Sequence, residues 1–155
     1  MSRSALKIED LRSRIDASRE ATLCLLPTNE GQRIDQQCVF IAERCGFNID
    51  YPLEEIDAHR AEWILASILH RDMAYNYECM SYQDAEHLSR EFLGLFAAGA
   101  RFFMNGKFEE WMPNNSDHGL LKLSSWGGIT RSTFDTGVIC IDSNQVGILW
   151  FEDED

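Results

Sequence analysis

The chain of 155 residues predicts an α+β fold: four main helices in residues 5–105, then an antiparallel β-meander or hairpin packed on a central helix. Two observations predict it. Apolar residues recur at helical spacing through the first two-thirds. After about residue 119 they alternate with polar ones at the period of a strand. Helices first and antiparallel strands last is the pattern of an α+β protein. We expect a single globular domain over 1–155, helical at 5–105, β-rich at 119–151 and ending in an acidic tail at 152–155.

Each element has its own signal. Ile8, Leu11 and Ile15 mark one face of a helix over residues 5–22. The apolar run 23–26, stopped by Pro27, is either that helix's end or a brief strand. Asn29 with Gln32 resembles a capping box. Ile34, Cys38, Ile41 and Cys45 form one stripe on the next helix, and Gly46 is a natural stop. Asp50 and Pro52 read as the start of a helix to about residue 74, carried by Ile56, Trp63, Ile64 and Ile68. The pattern breaks at 75–80. Ser81 with Asp84 then signals another start.

The helix expected from 82 to about 105 is the most apolar, with Leu88, Phe92, Leu95, Phe96, Phe102 and Phe103 interleaved with Gly94, Ala97, Ala98 and Gly99. Small residues in an apolar helix imply close neighbours, so this is the expected central helix. Asn105-Gly106 is its expected end. Residues 108–119 read as irregular. Leu121 and Leu123 alternate with Lys122 and Ser124 as a strand, and Trp126-Gly127-Gly128 is a turn. Residues 129–134 read as a short strand, 138–141 as an inner strand, 142–145 as a turn and 146–151 as the strand that pairs back.

Charge narrows the function. The net charge is −12. Residues 1–49 are balanced, with seven basic and seven acidic side chains; residues 50–100 hold three against ten, and 101–155 four against nine. Such acidity disfavours nucleic acid and anionic membrane as ligands, because phosphate recognition needs a positive footprint. It favours a basic partner. Residues 1–14 are of mixed charge without an apolar core, so no secretory leader is expected. The apolar run 92–100 is far shorter than a membrane span, which takes about 20 residues. The five cysteines are odd in number and include no C-x-x-C pair, so reduced thiols in a cytoplasmic protein are expected rather than disulfides.

Catalytic signals are sparse. His59, His70, His87 and His118 show no zinc-type spacing, and His59 and His70 stand about 16 Å apart along a helix. No metal or cofactor is expected. His70-Arg71-Asp72 matches the opening of a kinase catalytic loop but lies inside an amphipathic helix, without a glycine-rich loop. Asp117 and His118, in the 113–119 loop, form the one pair from which a small enzyme would be built, with Cys140 or a serine as nucleophile. The terminal acids Glu152, Asp153, Glu154 and Asp155 follow Trp150 and Phe151, which reads either as an aromatic anchor beside carboxylates of the kind that meets Lys or Arg at an interface, or as a last strand whose Trp150 fills the core ahead of a solvated terminus.

The segment Thr133-Phe134-Asp135, the apolar strand 138–141, a polar turn, and Leu149-Trp150 followed by the acids of 152–155 resemble the C-terminal ends of bacterial toxin immunity proteins. The resemblance implies a small, acidic, cytoplasmic, non-catalytic inhibitor that binds a cognate protein toxin and occludes its active site. Asp135, Asp142, Trp150, Glu152, Asp153, Glu154 and Asp155 are the expected partner-binding residues. A regulatory adaptor or scaffold and the small enzyme of the 113–119 loop are the alternatives.

Overall fold

A computed structural model describes residues 3–28, 31–108 and 123–154. The described residues form an α+β fold with four helices, in which the C-terminal sheet packs against helices and strands also stand between them. The elements are α1 (Arg3–Asp16), β1 (Thr22–Pro27), α2 (Ile34–Arg44), β2 (Glu54–Ile56), α3 (Ala58–His70), α4 (Tyr82–Leu93), β3 (Arg101–Met104), β4 (Gly106–Phe108), β5 (Leu123–Trp126), β6 (Phe134–Ile141) and β7 (Gln145–Asp153).

Five strands make one antiparallel sheet in the order β1-β7-β6-β3-β2, and β4 pairs with β5 in a separate two-stranded ribbon. Side chains alternate across a strand, and here that alternation feeds two cores. Val138, Cys140, Leu149 and Phe151 face α1, α3 and α4, and Ile139, Ile141, Val146, Ile148 and Trp150 face α2 and the segment around Phe47 to Leu53. Burying each Leu, Ile or Phe contributes about 1.5–3 kcal/mol, so the β6–β7 hairpin, apolar on both faces, is the structural centre.

The helical stripes of α1 and α2 are where periodicity placed them: Ile8, Leu11, Ile15, Cys38 and Ile41 are buried. Gly46 stops α2 at φ +81, a conformation that favours glycine. Ser81 caps α4, its hydroxyl accepting from the Asp84 N–H at 3.1 Å. Other boundaries move. α2 begins after Arg33, whose N–H donates to Gln36, rather than at Asn29. Asp57, not Asp50, caps α3 by accepting from the Arg60 N–H at 2.8 Å, which leaves room for β2 before it. Residues 23–26 are strand, part of β1.

The largest departure lies in the expected helix 82–105. It ends at Leu93, the chain turns through Gly99 at φ +86, and Phe102 and Phe103 lie in β3. Phe102 packs into the first core and Phe103 into the second, which a strand allows for adjacent residues. The most buried helix is instead α3, where every residue from Trp63 to His70 is buried. Residues 129–133 are bent loop rather than strand, and the acidic tail is partly strand, since β7 runs to Asp153.

Candidate functional site

A buried carboxylate organises the end of the β6–β7 hairpin. Asp135 is wholly buried. One of its oxygens accepts from the Ile129 N–H and the Trp150 indole N–H, both at 3.0 Å; the other accepts from the Thr130 N–H at 3.1 Å and the Thr130 hydroxyl at 2.8 Å. Asn105 completes the node. Its amide donates to the backbone carbonyl of Asp135 at 2.8 Å and to that of Gly127 at 3.1 Å, and its oxygen accepts from the Thr136 hydroxyl at 2.7 Å. Gly137 stands opposite Trp150 in register, and a Cβ there would fall 2.1 Å from the Leu149 carbonyl oxygen. Asp135 and Trp150 therefore serve the interior, tying the 127–130 loop to the sheet.

The last turn of β7 carries a second buried charge. Asp153 accepts a forked pair of hydrogen bonds from Arg19, one of them at 2.6 Å, and a third from the Met73 N–H at 2.9 Å. Arg19 also donates to the Ile68 carbonyl at 3.0 Å and stacks over the Phe151 ring at 5.3 Å. This pair joins the α1–β1 connection, the end of α3 and the end of the sheet. It also holds the connection from α3 to α4. Within that connection Asp72 is buried and accepts from the N–H groups of Ala74, Tyr75 and Tyr77. Arg71 donates to the Asn76 carbonyl at 2.8 Å, and Asn76 takes φ +58, which asparagine tolerates. The buried His70 ring packs edge-on to Tyr82, and its Nδ1 lies 2.7 Å from the Met80 carbonyl oxygen.

The product is a tied-down loop that presents aromatics outward. Tyr75 is 66% exposed and Tyr77 59%, with Glu78 exposed beside them. Glu152 and Glu154 are exposed at the end of β7, where they are ordered by Ser132 and Thr133: the Ser132 hydroxyl donates to Glu152 at 2.9 Å, and the Thr133 hydroxyl to Glu154 at 2.7 Å. The Thr133 hydroxyl, together with the Thr133 N–H at 3.1 Å, holds the Glu154 carboxyl below its usual range.

The expected partner-binding residues thus fall into three environments. Asp135, Trp150 and Asp153 are buried; Asp142 is half-buried in the β6–β7 turn; Glu152 and Glu154 are exposed. Asp142 accepts from the N–H groups of Ala97, Asn144 and Gln145 at 2.7–2.8 Å. Asp155, the 113–119 loop and its Asp117 and His118 lie outside the described residues. Sequence reasoning missed Tyr75 and Tyr77. Their signal was present in the break of helical pattern at 75–80, where two tyrosines flank an asparagine in a stretch with nothing to bury them.

Surface cavities among the described residues include two of comparable size. One, of about 550 Å³, lies between α2, the segment 49–53 and β3; the other, of about 520 Å³, lies between α3 and the segment 93–102, with the Arg90–Glu62 ion pair on its wall. Burial pushes the Cys38 thiol to about 12 and the Cys140 thiol well above its ordinary value, so neither is a ready nucleophile. Among the described residues no cluster of His, Cys, Asp and Glu has the makings of a metal site, and no helix is long and apolar enough to cross a membrane. The chain matches no family model, no curated protein and no solved structure.

Proposed function

We propose that this chain is a non-catalytic protein-binding inhibitor of the immunity class, which neutralises a protein toxin in the cytoplasm by covering its active site. The binding surface is the end of the sheet, where the α3–α4 loop presents Tyr75, Tyr77 and Glu78 on the Asp153 side of β7 and Glu152 and Glu154 stand on its other side. One observation carries the reading: two tyrosines more than half exposed on a loop whose backbone is pinned by Asp72 and Asp153. Exposed aromatics on a pre-ordered backbone are the makings of a binding hot spot, since little entropy is lost when they dock. The net charge of −12 gives such a surface a preference for a basic partner and speeds encounter with it.

The test is growth rescue. The partner is captured from native lysate on wild-type protein and on a Tyr75→Ala/Tyr77→Ala variant, then expressed alone and with this chain. The proposal expects a basic protein that arrests growth alone, is tolerated with the wild type, and is not tolerated with the variant. A harmless partner places the chain among regulatory adaptors and overturns the toxin reading. Equal rescue by the variant overturns the assigned surface.

A further inference from the structure

The cavity between α2 and β3 combines an apolar body with an acidic rim. Its walls include Val39, Ile49, Pro52, Leu53 and Phe103, and Asp35 and Asp50 stand at its lining. Its volume of about 550 Å³ is within the range of small-molecule sites. Tyr51, 68% exposed, also lines it, with one side of its ring lying near Gly127.

Charge decides what the cavity prefers. The one basic side chain in the lining, Arg101, is committed: its guanidinium makes two hydrogen bonds to Glu55, at 2.7 and 2.9 Å, and sits over the Phe103 ring. Arg33, just outside, lies 3.2 Å from Asp35. Among the described residues the Asp50 carboxylate accepts from a neutral amide, that of Asn48 at 2.8 Å, and is paired with no cation. With Arg101 balanced by Glu55 and Arg33 by Asp35, Asp50 is left as the uncompensated charge. The positive end of the α2 dipole is offset by Asp35 in its first turn.

We propose that this cavity is a binding site for a small organic cation, an ammonium group on an apolar or aromatic body. The body fills the space against Val39, Ile49 and Leu53. The ammonium lies at the rim against Asp50, where the Tyr51 ring adds a cation–π contact. The site is separate from the surface assigned to the protein partner, so either assignment stands without the other.

Three probes of one shape and different charge test it: 2-phenylethylamine, 2-phenylethanol and phenylacetate, titrated into labelled protein and followed by amide and methyl NMR shifts. The amine is expected to shift Val39, Ile49 and Leu53 saturably, with the alcohol weaker and phenylacetate inert. Asp50→Asn, at an exposed position, is expected to weaken the amine about three- to five-fold while the alcohol is unchanged. Equal binding of amine and alcohol, preference for phenylacetate, or no saturable shift at these residues overturns the proposal.

Discussion

Trp150 donates its indole N–H to the Asp135 carboxylate over 3.0 Å, and both side chains are wholly buried. The aromatic next to the terminal acids is thereby turned inward, and the carboxylate it meets holds a loop rather than a partner. Asp135→Ala should strand the N–H groups of Ile129, Thr130 and Trp150 together and cost on the order of 4 kcal/mol. Trp150→Phe loses one hydrogen bond and some packing, and should cost about 2 kcal/mol. Urea unfolding of the two variants checks the ranking, which fails if Asp135→Ala unfolds like the wild type.

The Arg19–Asp153 pair makes a sharper prediction. Removing one partner leaves a buried charge alone, so Arg19→Met or Asp153→Leu should each cost about 3–5 kcal/mol. The double substitution should be less destabilising than the sum of the singles, since no charge remains unpaired. Because Met73 also donates to Asp153, hydrogen exchange in residues 71–80 should accelerate in Asp153→Leu. Additive losses with unchanged exchange would separate the pair from the loop.

Asp142 links stability to pH. Burial raises its pKa, but the hydrogen bonds from Ala97, Asn144 and Gln145 outweigh burial and hold the carboxyl below its ordinary value of 3.8. A folded-state pKa below the unfolded one gives stability that is present above the unfolded value and is lost as pH falls through the folded one. Asp142→Asn should therefore cost about 1 kcal/mol at pH 7, and the gap to wild type should narrow as pH falls below the ordinary carboxyl value of 3.8. A gap that is constant between pH 7 and pH 3 would mean that the carboxylate's charge contributes nothing.

The thiols should divide by burial. Iodoacetamide on folded protein at pH 8 should spare Cys140 and Cys38, whose thiols burial pushes upward, and should label all five cysteines after denaturation. Mass spectrometry of the peptides reads the pattern. Labelling of Cys140 at the rate of the partly exposed Cys79 would contradict the two-core arrangement of β6.

Much of this fold was legible in local pattern, and the exceptions share a cause. The stripes of α1 and α2, the Ser81 cap and the β6–β7 hairpin are written within a dozen residues, at the range where periodicity and capping act. β3 was not legible: Ala97-Ala98-Gly99-Ala100 before two phenylalanines has helical composition, and only pairing with β6, through Phe102 with Cys140 and Phe103 with Ile139, makes it a strand. The buried state of Asp153 depends on Arg19, 134 positions earlier, so a run of four acids read as tail. The candidate site divides the same way. Glu152 and Glu154 were singled out from the run of acids after Trp150 and Phe151, whereas Tyr75 and Tyr77 gain meaning only from the contacts that pin their loop.

The most direct measurement is calorimetric titration of the captured partner into wild type, Tyr75→Ala/Tyr77→Ala and Glu152→Lys/Glu154→Lys proteins of equal far-UV circular dichroism. Loss of two hot-spot tyrosines should weaken binding by about a hundred-fold or more. The charge reversal should act chiefly through a slower, salt-dependent association. Unchanged affinity in both variants would contradict the claim that the end of the sheet, with its pinned tyrosine loop, is the surface that binds.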